Sequence, residues 1–320
     1  MTAPIWLLTD ARMDAHQAPG HPERPDRRAA AVAGVRDAAG DRIVGPTFEA
    51  ATDEQILAVH EAAYLEVLVE AEARGGGWLD PDTYLAPGSV HAARLAAGAT
   101  IRAATAATAG AAEIAFAAVR PPGHHATAER GSGFCLLNSI AIAVAALRAS
   151  GAVRRVAIVD WDVHHGDGTQ ELFEDDPDVF YASTHQFPFY PGTGWPQERG
   201  RGPAAGTVRN RPLTAGDGDE AFVTAWRDEL LPAIEEFGPD AVLVSAGYDA
   251  HRDDPLAELE VTDAGFGEVA RMLGALSRRV GLAGVALTLE GGYDLDALRS
   301  SVAATVGGIL QGRASGTDPR

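Results

Sequence analysis

A chain of 320 residues with 46% hydrophobic content can bury a substantial core, as one large α/β domain or two smaller ones. Its formal charge of −19 disfavours duplex DNA, whose binding rests on cationic contacts to phosphate, and suits cationic partners such as lysine-rich peptides or polyamines. No apolar run is long enough to span a bilayer, and the single cysteine, Cys135, excludes an intramolecular disulfide and fits a reducing compartment.

From the amino terminus, Met1 to Asp14 carries a short apolar patch without a basic leader or cleavage-like region, so no secretory signal is expected and the location reads as cytoplasmic. Thr52-Asp53-Glu54-Gln55 has the form of a capping box ahead of Ile56-Leu57. Gly75-Gly76-Gly77 reads as a loop. Segment 88–109 is predicted helical, and the Ala-rich stretch 92–112 is low in complexity yet suited to a packed helix. Apolar runs then alternate with helix-like stretches. Strands are predicted at 114–119, 156–159, 179–182, 241–244 and 285–289, and helices over 138–150, 217–237, 262–280 and 294–311. The Gly- and Pro-rich segment 186–206 reads as loop, and about 313–320 as a flexible tail. This alternation implies a parallel sheet covered on both faces. With no repeat or composition break, a single domain over 1–320 is expected.

The most informative stretch is Asp160-Trp161-Asp162-Val163-His164-His165-Gly166-Asp167-Gly168, directly after strand 156–159. If the backbone stays extended there, Asp160, Asp162 and His164 alternate onto one side and converge at the carboxyl end of a sheet strand, where open α/β folds place their sites. Buried carboxylates must be paired or bound to metal, so a metal site is expected. The other strand ends are equally unusual. Arg120-Pro121-Pro122-Gly123-His124-His125 follows 114–119, Ser245-Ala246-Gly247-Tyr248-Asp249-Ala250-His251 follows 241–244, and Glu290-Gly291-Gly292-Tyr293-Asp294 follows 285–289. Four distant segments therefore present His, Asp or Tyr at one sheet edge.

These phrases, with Gly133-Phe134-Cys135 and an amino-terminal His21-Pro22-Glu23, resemble the zinc-dependent histone deacetylase and acetylpolyamine amidohydrolase superfamily, in particular its class II-like bacterial branch. The likeness runs in family order from roughly residue 10 to 310. It implies the arginase/deacetylase α/β fold, with a central, mostly parallel eight-stranded sheet flanked by helices on both faces. It also implies a zinc-dependent amidohydrolase that deacetylates acyl-lysine by metal-activated water.

Carried over by residue, the resemblance makes Asp162, His164 and Asp249 the zinc ligands, a set hard enough that Fe(II) is also admissible. His124 and His125 match the tandem histidines, with Asp160 and Asp167 as their respective carboxylate partners. His125 would move the proton, His124 would give electrostatic support, and Tyr293 would stabilise the oxyanion. Phe134 and Tyr190 would wall an acyl-lysine tunnel, Gly133 and Gly292 would permit close approach, and Leu256 would sit at its rim. Tyr190 departs from the commoner phenylalanine, and the loop around it is shorter than in many relatives. Potassium is implied at Asp160, Asp162, His164, Ser183 and Thr184, with a second ion near Phe173, Asp176 and Val179.

Other polar residues carry plainer expectations. His16, His60 and His91 read as surface or capping groups, His165 and His185 as loop-orienting, His251 as structural and Cys135 as a packed core residue. Asp80 and Asp82 read as turn chemistry, with contact to substrate backbone as the alternative. The expected partner is an acylated lysine in protein, peptide or small molecule, with acetylated polyamine as runner-up; neither nucleic acid nor membrane is expected. A dimanganese ureohydrolase is disfavoured, because Gly166 and His251 stand where a second metal needs carboxylates. A non-enzymatic acyl-lysine binder or scaffold would normally have lost a catalytic group.

Overall fold

The computed structural model describes residues 3–315. Its first strand, β1 (Ile5–Leu8), forms from the short amino-terminal apolar patch, four residues that carry no strand signal until they pair with Ile114–Ala117. Helix α1 (Pro25–Ala39) follows, then the two-residue β2 (Ile43–Val44) and two short helices, α2 (Asp53–Leu57) and α3 (Ala62–Ala73). The capping box forms as expected. Thr52 Oγ1 accepts from the Gln55 amide, and the Gln55 side chain accepts from the Thr52 amide. A hairpin of β3 (Gly77–Trp78) and β4 (Tyr84–Leu85) precedes the alanine-rich α4 (Ser89–Thr108).

Strands and helices then alternate: β5 (Ile114–Ala117), α5 (Ser139–Ala149), β6 (Val156–Asp160), α6 (Asp167–Phe173), β7 (Val179–Gln186) and β8 (Val208–Leu213). The expected helix over 217–237 is α7 (Asp219–Ala225), a π-turn at Trp226–Leu230 and α8 (Leu231–Phe237). The chain closes with β9 (Ala241–Ala246), α9 (Asp263–Arg279), β10 (Val285–Leu289) and α10 (Leu295–Ser315). The tail expectation is corrected at its start. Residues 313–315 continue α10, because Arg313 is buried and donates to Ser277 Oγ and the Ala283 carbonyl. The remainder, 316–320, lies outside the described residues.

The central sheet has eight strands in the order β2-β1-β5-β10-β9-β6-β7-β8, every neighbouring pair parallel. Alternate residues of each strand enter opposite cores. Ile114, Phe116, Ala157 and Val159 join the helices α1 and α7–α10, whereas Ala115, Ala117, Val156 and Ile158 pack under α4 and α5. Helices α9 and α10 meet backbone to backbone: a Cβ at Gly308 would collide with the Gly267 carbonyl, so only glycine permits this approach. Among the described residues no helix is long and apolar enough to cross a membrane.

Candidate active site

All-parallel pairing puts every carboxyl strand end on one edge, and the chemistry-bearing segments gather there. Asp160, the last residue of β6, stands in register with Ser183 of β7 and Ser245 of β9. The segment after β5 supplies His124 and His125, that after β9 supplies Asp249, and that after β10 supplies Tyr293.

Asp162, His164 and Asp249 bring one potential ligand atom each to within 4.8 Å of one another. His164 Nδ1 lies 3.2 Å from Asp162 Oδ1 and 3.2 Å from Asp249 Oδ2. Asp162 Oδ2 accepts from the Gly291 amide at 2.7 Å, and Asp249 Oδ1 accepts from the Val163 amide at 2.9 Å. Asp249 Oδ2, by contrast, is buried without a hydrogen-bond partner. A Cβ at Gly291 would run into both carboxylates, so the approach of the β10 loop requires glycine here. Burial opposes protonation of His164, yet the two carboxylates outweigh it and push the imidazole up to about 10. Burial and the neighbouring Asp162 raise the Asp249 carboxyl. The cluster therefore calls for positive charge. Two carboxylate oxygens, one of them orphaned, and one imidazole nitrogen fit a single divalent ion such as zinc or Fe(II).

The extended-backbone expectation needs one correction. The strand ends at Asp160 and the chain bends, so Asp160 does not join the three-residue cluster; Asp249, 87 positions after Asp162, takes the third place. Asp160 Oδ2 instead lies 3.1 Å from His124 Nδ1 and accepts from the Tyr181 hydroxyl at 2.9 Å. His125 Nδ1 lies 2.7 Å from Asp167 Oδ1. The two histidines differ electrically. Burial works against protonation of His124, but Asp162 and Asp160 outweigh it and raise its pKa well above the usual imidazole value. Burial, reinforced by the charge on His124, lowers His125 to about 4. With Asp167 at Nδ1, neutral His125 keeps its proton there and leaves Nε2 free to accept another.

A cavity of about 250 Å³ opens onto this centre, lined by His124, His125, His164 and Tyr293 together with Gly133, Phe134, Tyr190 and Leu256. Phe134 packs edge-on against Tyr293, with ring centres 5.7 Å apart. Tyr190 packs edge-on against His125 at 5.2 Å, while Phe189 stacks on His164 at 5.5 Å, so both aromatics wall the tunnel. Of the glycines assigned to the substrate, Gly133 lines the cavity and Gly292 does not; Gly291 takes that place. Gly292 faces Tyr248 and Leu298, and its carbonyl accepts from Arg27 Nε. Tyr293 has Arg27 over its ring at 4.7 Å, and its amide donates to Asp254 Oδ2 at 2.6 Å. Burial holds its hydroxyl protonated, with Arg27 opposing.

Of the implied potassium groups, Ser183 and Thr184 stand on β7 and turn to opposite faces of the sheet. Ser183 is paired in register with Asp160, its Oγ contacts His185 Nδ1, and Thr184 Oγ1 accepts from Trp226 Nε1. At the second implied ion site, the Val179 amide donates to the Asp176 carbonyl. Asp80 is turn chemistry, accepting from the Asp82 and Thr83 amides, while Asp82 reaches the tunnel mouth. His16 and His60 are not surface groups. His16 stacks on Tyr84 in the interior, and His60 joins the Thr127 carbonyl to the Asn138 amide. His165 and His185 tie loops through Thr193 and the Gly194 carbonyl. A second group, His124, Cys135 and Glu290, also has ligand-like proximity. Its carboxylate, however, is already taken by three protein donors. Sequence reasoning missed Arg27 and Asp254, set Phe189 behind Tyr190 as the wall residue, and placed Glu290 at its strand end without giving it a role. Glu290 carried a signal, an ionisable residue directly after a buried, largely apolar strand.

Residues 21–309 match a family model described as the histone deacetylase domain. The chain is 42% identical over 283 residues to a probable deacetylase of Archaeoglobus fulgidus, covering 88% of this chain and 78% of that one. It is 37% identical over 304 residues to the human polyamine deacetylase HDAC10, covering 90% of this chain but only 44% of the human protein. The crystal structure of the HDA15 HD domain matches with a TM-score of 0.90 at 37% identity, over 97% of this chain and 89% of that one.

Proposed function

The chain belongs to the histone deacetylase domain family, and from that premise we propose that it is a metal-dependent amidohydrolase removing acyl groups from the ε-amine of lysine. One observation carries this reading: Asp162 and Asp249 cluster with His164, which lines the same tunnel as His125 and Tyr293.

Asp162, His164 and Asp249 would hold the ion, which supplies Lewis acidity toward the amide carbonyl and the attacking water. His125, neutral and oriented by Asp167, accepts the water proton at Nε2 and hands it to the departing amine. His124, drawn toward its charged form by Asp162 and Asp160, stabilises negative charge growing at the carbonyl. The Tyr293 hydroxyl donates to that same oxygen. Phe134 and Tyr190 grip the lysine methylenes and exclude water. Potassium would take the side chains of Asp160, Asp162 and Ser183, with backbone oxygens of Asp162, His164 and Thr184.

Acetylpolyamine hydrolysis is the second reading, favoured by the name of the human relative. The apolar Leu256 lining the tunnel supports acyl-lysine instead, since an acidic residue there would recruit a polyammonium chain. Metal-loaded protein is expected to release the fluorophore from an acetyl-lysine reporter faster than it deacetylates acetylspermidine, and to lose both activities on chelation. A strong polyamine preference would reverse the order, and binding of acetyl-lysine without turnover would favour a binder.

A further inference from the structure

Glu290 ends the β10 loop entrance completely buried, and no step above uses it. Its Oε2 accepts from the Gly123 amide at 2.6 Å and the His124 amide at 3.2 Å. Its Oε1 accepts from the Ser245 hydroxyl at 3.1 Å. Its own backbone is held on both sides, the amide by the Ala246 carbonyl at 3.1 Å and the carbonyl by Arg27. Carboxylate and backbone together join the ends of β5, β9 and β10.

The place of this bond explains its weight. Ladder pairing of β5 stops at Ala117, so the sheet does not register the segment that carries the two histidines. The carbonyls of His124 and His125 are held by Thr169 and Ser132. Among the described residues, the amides of Gly123 and His124 have only Glu290 as acceptor. We propose that Glu290 is a positioning residue, whose carboxyl group sets where Gly123 to His125 presents its imidazoles, so that turnover depends on it and substrate affinity does not. The inference rests on the reading of His125 as the proton carrier.

Glutamine can keep all three contacts: its carbonyl accepts from both amides, and its NH₂ donates to Ser245 once the hydroxyl turns. Alanine removes the acceptor, and aspartate withdraws it by one methylene. Glu290→Ala is expected to lower kcat about 30- to 100-fold with KM within twofold, the scale of a ~1 Å misplacement. Glu290→Gln should restore kcat to within about threefold of the parent chain. Should the alanine variant not fold, Glu290→Asp carries the same test, with kcat down at least tenfold at unchanged KM. A folded alanine or aspartate variant with kcat within threefold of the parent would overturn the proposal, as would a glutamine variant as impaired as alanine. A metallated parent chain that hydrolyses no acylated amine would instead remove the functional reading, and this inference with it.

Discussion

Replacing Tyr293 by phenylalanine isolates one hydroxyl. The ring sits between Arg27, 4.7 Å from its centre, and Phe134, 5.7 Å away, and both contacts survive the change. Among the described residues the hydroxyl has no hydrogen-bond partner, and the side chain lines the tunnel, so its loss orphans nothing in the resting protein. Stability should therefore move by less than about 0.5 kcal/mol, as for substitutions that touch no packed or paired group. The cost falls on the transition state. A lost oxyanion donor is worth about 100- to 1,000-fold in kcat, or roughly 2.7–4 kcal/mol. Because burial keeps the hydroxyl protonated, the deficit should be constant between about pH 6 and 9. Initial rates on an acetyl-lysine reporter, with each protein shown by elemental analysis to hold one metal per chain, measure it. A phenylalanine variant within fivefold of the parent kcat would refute the assignment.

Three further outcomes are expected. Asp249→Ala leaves two protein ligands, fewer than a catalytic zinc site uses, so metal retained after gel filtration should fall below about 0.1 equivalent; full retention would move the site elsewhere. His60 and His165 are each lowered to about 4 and His185 to about 3, all chiefly by burial. Their folded values lie below the unfolded one of ~6.5, so the stability they contribute is complete above that pH and is lost as pH falls toward 4. NMR titration of the three imidazoles should show none of them protonating above about pH 5, and a midpoint near 6.5 for any of them would contradict the burial argument. Leu256→Glu should raise the rate ratio of acetylspermidine to acetyl-lysine about fivefold, the ~1 kcal/mol of a partly exposed ion pair; an unchanged ratio would remove Leu256 from substrate choice.

Elements with a strong local pattern were legible before any fold was known. The buried strands around Val156 and Val285 read as apolar runs, interrupted in the second only by Thr288, and helices α5 and α9 begin at the side-chain caps Asn138 and Thr262. Elements whose signal depends on their neighbours were not. β8 carries Arg209, Arg211 and Pro212, as an edge strand can, and so resembles a loop. α1 lacks a clean apolar stripe because its Arg27 is buried by ion pairing and carbonyl acceptors rather than placed on a wet face.

The amino-acid order alone determined the parallel α/β class and the identity of the ionisable groups at the strand ends, because runs of four to six apolar residues and the polar phrases after them are local in the chain. Which of those groups share a centre was decided in three dimensions. Asp162 meets Asp249 because β6 and β9 lie side by side, while Asp160, two residues away, is bent toward His124 and Tyr181. The same closure buries Glu290 against two amides from another strand end. No spacing along a chain encodes that contact, because it arises only when the sheet brings β5, β10 and β9 into adjacent positions.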